Sequence, residues 1–210
     1  MQWELAPSPV SYPDALARMA DQVRAMRDGT AGELAWLVEH PPLYTQGTSG
    51  DAADVLNPEL PLFETGRGGQ VTYHGPGQRV VYLMLDLNQR GKDVRAYVQK
   101  LEAWMIATLA HFGVEGFTRE GRIGVWVNTP TGEAKIAALG VRVQGWVTSH
   151  GIALNVHPDL SHYAGIVPCG IREYGVTSLK ALGVTASMAE VDSVLKRSFA
   201  EIFEPQPALS

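Results

Sequence analysis

From position 66 to position 78 the chain reads GRGGQVTYHGPGQ. Glycines stand at 66, 68, 69, 75 and 77, and between the two clusters lie Val71, Thr72 and Tyr73, all good strand formers. Glycine admits positive φ and leaves no side chain in the way of a close approach. Two glycine turns around a short strand carrying Arg67, Gln70 and His74 therefore describe a wall built to touch something. A plain flexible connection is the alternative, but it needs neither the strand former nor the polar groups. The stretch is neither a P-loop nor a dinucleotide fingerprint: no Gly-Lys-Ser/Thr occurs, and no third glycine follows Gly66 and Gly68 in step.

The 210 residues favour one domain over positions 1–210, since no linker divides them. A hydrophobic content of 45% with 19% charged residues belongs to a folded, soluble chain. The net charge of −5 argues against nucleic acid as a partner. No apolar run is long enough to span a bilayer, and residues 1–19 lack the layout of a signal or transit peptide. A single cysteine excludes an intrachain disulfide and a cysteine-based zinc site, which points to a reducing cytoplasm.

Along the chain, Leu16, Met19, Val23 and Met26 predict a helix over 12–28, with Pro13 near its start and Gly29 at its end. Residues 35–38 read as a buried strand stopped by His40-Pro41-Pro42, and residues 43–61 as a loop. Residues 80–87 suit a central strand. Asp93 is the expected N-cap of a helix that runs through Tyr97, Leu101, Trp104 and Thr108 to Gly113. Strands over 125–127, 135–144 and 147–156 are joined by short turns and so are antiparallel neighbours. Residues 157–163 and 167–174 read as irregular, and Ser187 with Glu190 forms a capping box for a last helix. Strands mixed with few helices, without βαβ alternation, favour an α+β fold over a doubly wound one.

Cys169 lies between Pro168 and Gly170, which suits an exposed nucleophile on a tight loop; a buried apolar cysteine is the alternative. A thiol of pKa about 8.5 is only about 3% ionised at pH 7, and about 2.7 kcal/mol of electrostatic help would make thiolate the major form. Lys135, among Ala134, Ala137 and Ala138, is the candidate cation. His74 and His150 keep a Cys–His pair open as a rival. No His or carboxylate spacing suggests a metal site.

Taken together, His40-Pro41-Pro42-Leu43-Tyr44-Thr45-Gln46-Gly47, the glycine stretch, Lys135-Ile136-Ala137-Ala138-Leu139-Gly140-Val141-Arg142, His150-Gly151-Ile152-Ala153-Leu154-Asn155-Val156 and Pro168-Cys169-Gly170-Ile171 resemble the octanoyltransferases of lipoate assembly, in order and spacing, over positions from about 36 to 180. The resemblance implies an α+β fold similar to the catalytic domain of biotin and lipoate ligases, a mixed, largely antiparallel sheet flanked by helices. The implied activity is that of an octanoyl-[acyl-carrier-protein]:protein N-octanoyltransferase. Cys169 would accept the octanoyl group as a thioester, and Lys135 would lower its pKa and move protons. Substrate contacts would fall on Arg67, Gly68, Gly69, Gln70, Val71, Thr72, Tyr73 and His74, on Ala138, Leu139 and Gly140, and on Gly151, Ile152 and Ala153. It implies no cofactor and no metal. The donor would be octanoyl-acyl carrier protein. The acceptors would be lipoyl domains of 2-oxoacid dehydrogenase complexes and the glycine cleavage H protein, with the enzyme a cytoplasmic monomer free of nucleic acid and membrane. Two other readings remain: an ATP-dependent lipoate or biotin ligase of the same fold, and a non-catalytic acyl-carrier-binding module.

Overall fold

The structure, a computed structural model, describes residues 1–56, 59–167 and 174–204. The central strands are the most apolar segments. All seven residues of β6 (Gln78–Met84) and all nine of β10 (Val147–Asn155) are buried, as is every residue of β2 (Leu34–Val38). These strands sit in the middle of a mixed sheet with the order β1-β2-β6-β10-β9-β8-β7, where β1 is Gln2–Leu5, β7 Gly116–Arg119, β8 Arg122–Thr129 and β9 Gly132–Gln144. A short strand, β11 (Gly175–Val176), adds in parallel to Ala134 and Lys135 of β9. It occupies the edge of β9 that β10 covers further along, since β10 pairs β9 only from Ala137 onward. The pairs β1–β2 and β9–β11 are parallel and the other neighbours in this sheet are antiparallel.

The sheet is covered on both faces. Helix α1 (Tyr12–Arg27) starts at Ser11, whose hydroxyl accepts the Asp14 N–H, and buries Ala15, Met19 and Val23 against Trp36, Val80, Tyr82 and Ala153. On the other face α2 (Val94–Ala110) and α3 (Met188–Phe203) pack on Leu37, Val81, Leu83, Ile136 and Leu154. Each such side chain contributes about 1.5–3 kcal/mol by leaving water. Asp93 caps α2 through the Ala96 N–H, and the Ser187–Glu190 capping box opens α3, both as the sequence predicts. Trp104 of α2 meets Phe199 edge-on at 5.2 Å and donates its indole N–H to the Leu195 carbonyl at 3.0 Å. A bidentate pair, Arg79 to Asp192 at 2.7 and 3.1 Å, ties α3 to β6.

Residues 43–61 depart from the predicted loop. Leu43–Gln46 forms β3, which pairs with β4 (Leu62–Glu64) and β5 (Val71–His74) in a second sheet of order β4-β3-β5. The two prolines and the glycine-rich surroundings hid a four-residue strand whose stability comes from its partners on both edges. Strands β1, β4, β7 and β11 have the same origin: each is short and formed by pairing. The hairpin between β9 and β10 turns on Gly145 (φ 57) and Trp146 (φ 68), the two left-handed residues of a tight hairpin loop. Among the described residues no helix is long and apolar enough to cross a membrane.

Candidate active site

Between the glycine stretch and strands β9 and β10 lies a cavity of about 460 Å³. The wall approaches β9 closely: the Gly68 N–H donates to the Val141 carbonyl at 2.9 Å. A side chain at Gly140 would place its Cβ 2.9 Å from the Gly68 carbonyl oxygen and 3.0 Å from Arg67 Cδ. Glycine is required there by proximity. At Gly69 it is required by conformation, with φ +89.

Of the residues expected at the substrate, Arg67, Gly68, Gly69, Gln70, Thr72, His74, Ala138, Leu139, Gly140, Gly151, Ile152 and Ala153 line this cavity. Val71 and Tyr73 do not. They sit on the opposite side of β5, packed with Tyr44, Tyr163 and Ile166 in a satellite core, because successive strand residues face opposite ways. Residues not expected from the sequence also line the cavity, among them Tyr12 of α1, Val80 and Tyr82 of β6, Val98 of α2, and Gly121, Arg122 and Ile123 at the β7–β8 turn. The helical and strand patterns mark Tyr12, Val80 and Val98 as elements of secondary structure, and nothing local distinguishes them from core.

The polar side of the cavity is held by one chain of hydrogen bonds. Arg67 Nη2 donates to the Thr45 hydroxyl at 2.7 Å, and to the Thr45 and Gln70 carbonyls at 2.9 and 3.0 Å. Thr45 Oγ1 lies 3.3 Å from His74 Nε2, and His74 Nδ1 lies 2.6 Å from the Gln78 amide oxygen. That oxygen can only accept, so His74 carries its proton on Nδ1 and receives the Thr45 hydroxyl proton at Nε2. Gln78 Nε2 then donates to Asn155 Oδ1 at 2.9 Å, Asn155 Nδ2 to the Thr177 carbonyl at 3.0 Å, and the Thr177 N–H to the Lys135 carbonyl at 3.0 Å. Backbone and side-chain amides thus connect the glycine wall to the strand that carries the lysine. Burial, with His40 and Arg67 close by, pushes His74 down to about 3. Burial does the same to His150, with Arg67 and Arg142 adding to it, again to about 3. Both imidazoles are neutral at pH 7.

Lys135 is the buried cation of the opposite end, only 7% exposed. Its ammonium donates to the Ile123 carbonyl at 3.0 Å and stands 4.8 Å from the centre of the Trp126 ring. Gly124 admits the lysine stem, since a Cβ there would lie 3.1 Å from Lys135 Cε. Glu102 of α2 accepts the Gly124 N–H at 3.1 Å; burial raises its pKa, and the nearby Lys135 charge opposes that rise. Cys169 lies outside the described residues. The described flanks of that segment are anchored: the Val167 N–H donates to the Asp54 carbonyl at 2.7 Å, and β11 pairs beside Lys135 itself.

His150 stands opposite Val141, six residues along β9 from Lys135. At about 3.3 Å per residue, the two positions are roughly 20 Å apart along the strand, so His150 is no partner for the Lys135 ammonium. His40 is engaged elsewhere. Its Nδ1 donates to the Val10 carbonyl at 2.7 Å, and its Nε2 accepts from the Tyr82 hydroxyl at 2.6 Å. No group of three or more metal-ligating side chains occurs among the described residues.

Sequence and fold are both shared with known proteins. The profile of the lipoyl protein ligase A/B catalytic domain matches residues 11–200. The chain belongs to that family. Octanoyltransferase of Rhodospirillum rubrum is 59% identical over 212 aligned residues, covering 100% of this chain and 98% of its own. Octanoyltransferase of Paramagnetospirillum magneticum is 60% identical, covering 97% of each chain. Among solved structures, a lipoate-protein ligase A bound with ATP superposes with a TM-score of 0.73 at 17% identity, over 96% of this chain and 85% of that one. The bipartite lipoate protein ligase of Thermoplasma acidophilum gives 0.70 at 18% identity, over 96% and 84%. At such identities the ligases establish the α+β fold alone.

Proposed function

We propose that this member of the ligase A/B family is an octanoyl-[acyl-carrier-protein]:protein N-octanoyltransferase that acts through a Cys169 thioester. The carrying observation is Lys135, a buried ammonium at one end of an otherwise largely apolar cavity, on a strand whose neighbour β11 begins two residues after the segment 168–173. The 56–60% identical octanoyltransferases support the same activity. In the first step the Cys169 thiolate attacks the donor thioester carbonyl and the carrier thiol leaves, an exchange of one thioester for another. In the second, the neutral amine of an acceptor lysine attacks the new thioester, an amide forms, and Cys169 leaves as thiolate. The covalent intermediate divides one acyl transfer into two easier ones, and no nucleotide enters. Lys135 as ammonium favours the thiolate and gives its proton to the carrier sulfur as that sulfur leaves; once neutral it takes the proton that the incoming amine loses. Their protons belong to the pair. The glycine wall, with Ala138, Leu139, Gly140, Gly151, Ile152 and Ala153, holds the acyl chain. Lipoyl domains are the acceptors and octanoyl-acyl carrier protein the donor, in the cytoplasm.

Mass spectrometry after incubation with octanoyl-carrier protein should show one octanoyl group on Cys169. Lys135→Met should keep the fold and slow that acylation by about 10²–10⁴-fold. Absence of the adduct on active protein, or transfer that requires ATP and survives Cys169→Ala, would replace this reading with the ligase chemistry.

A further inference from the structure

Glu102 and Lys135 meet through a single peptide group. The Ile123 carbonyl accepts from the Lys135 ammonium at 3.0 Å, and the adjoining Gly124 N–H donates to Glu102 Oε1 at 3.1 Å. Both backbone groups belong to the Ile123–Gly124 amide, which is planar and trans, so its C=O and N–H point in opposite directions. The carboxylate on α2 and the ammonium on β9 therefore stand at the two ends of one polarisable unit. Each end is a charge-assisted hydrogen bond, and the two reinforce each other: a carboxylate drawing on the N–H raises the negative charge on the carbonyl oxygen that meets the ammonium.

The local backbone serves this arrangement. Gly124 has φ +125, and a Cβ there would stand 2.8 Å from the Ala137 carbonyl oxygen and 3.1 Å from Lys135 Cε. Just beyond it the register of β8 and β9 shifts, Val125 pairing with Ala137 and Trp126 with Lys135, an irregularity of the kind that re-aims side chains. On α2, Glu102 lies one turn beyond the cavity-lining Val98 and shares its face. The carboxylate is half-buried, which limits its screening by salt. Burial raises its pKa and the Lys135 charge opposes that rise, so the two groups sense each other.

Among the described residues, the other charged and titratable groups around the ammonium have their own partners. Arg122, a like charge, lies 4.9 Å from the centre of the same Trp126 ring. Glu133 of β9 pairs with Arg119 at 3.0 Å and with Arg122 at 3.3 Å. Tyr174 meets Trp126 edge-on at 5.5 Å and carries the Arg122 guanidinium 4.1 Å above its ring. We propose that Glu102 is a positioning residue for Lys135: acting through the Ile123–Gly124 amide, its carboxylate aims the lysine and favours the ammonium over the neutral amine. Glu102 moves no proton itself. In the acyl transfer proposed above, on which this role rests, it sets how firmly Lys135 holds the proton that passes to the carrier sulfur and is recovered from the incoming amine.

The test follows Lys135 Cε by ¹³C NMR through an alkaline titration, in Cys169→Ala protein so that the lysine titrates without its partner. Glu102→Gln, whose amide oxygen still accepts the Gly124 N–H, should lower the Lys135 midpoint by about one pH unit. Glu102→Ala, which removes the hydrogen bond as well, should lower it at least as far. With Cys169 present, Glu102→Gln should move the alkaline limb of the acylation rate profile down by the same amount, so that acylation on that limb is about tenfold slower. A midpoint that Glu102→Gln leaves in place overturns the proposal, whatever Glu102→Ala does to the fold. In the unsubstituted chain the Gly124 ¹⁵N resonance should follow the titrations of both Glu102 and Lys135; if the variants fail to fold, a resonance that does not follow both overturns it. If octanoyl-carrier protein leaves no group on Cys169, the acyl-transfer reading fails while the Lys135 midpoint still tests the coupling. Acylation with an unmoved midpoint defeats the role of Glu102 alone.

Discussion

Lowering the pH should weaken this fold well before its carboxylates titrate. His74 and His150 are both held near 3 in the folded state by burial, against about 6.5 for an exposed imidazole. Below pH 6.5 the unfolded chain binds protons at both sites that the folded chain refuses, so stability falls as pH falls. The limiting slope is about 1.4 kcal/mol per pH unit for each site. Between pH 8 and pH 5 each site then removes about 2 kcal/mol, and the two together about 4, a large share of a typical 5–15 kcal/mol. His40, also lowered by burial, acts in the same direction. Glu33 and Asp86, held low in the folded state, add their losses mainly below this window. Urea unfolding at pH 8, 6 and 5, followed by the fluorescence of the five tryptophans, measures the loss. His150→Gln should reduce it by about 2 kcal/mol. A wild-type stability constant to within about 1 kcal/mol from pH 8 to 5, or an identical pH dependence in His150→Gln, would refute the assignment of neutral buried imidazoles. The same neutrality means that neither ring supplies an ionisation to the rate profile above pH 6.5.

Gly140→Ala should push the glycine wall off β9, because the new methyl would stand 2.9 Å from the Gly68 carbonyl; a loss of about 1–3 kcal/mol and weaker octanoic acid binding are the expected results, read by denaturation and calorimetry. Arg79→Ala should cost about 3–5 kcal/mol by stranding Asp192 beneath α3. The double variant Arg79→Met with Asp192→Leu should recover much of that in the same unfolding assay.

Much of the architecture can be read locally. The periods of α1, α2 and α3, the caps at Asp93 and Ser187, and the apolar runs of β2, β6 and β10 follow from patterns that span one element. The glycine stretch, likewise, announces a close approach, and Lys135 announces itself by its small neighbours. Short strands such as β3 and β11 do not show, because four or fewer residues carry too little propensity and are stabilised by partners distant in the chain.

The amino-acid sequence by itself determined which residue types could do the chemistry and where the backbone must pass through glycine. Only the tertiary structure decided which of those residues meet. Val71 and Tyr73 belong to a satellite core because pairing with β3 sets which face of β5 looks inward. His150 reaches the cavity because one left-handed residue breaks the alternation of β10. Lys135 is buried against Ile123, Trp126 and Glu102 because β8 and α2 close over it. Facing, register and burial are properties of long-range pairing, and local pattern does not encode them.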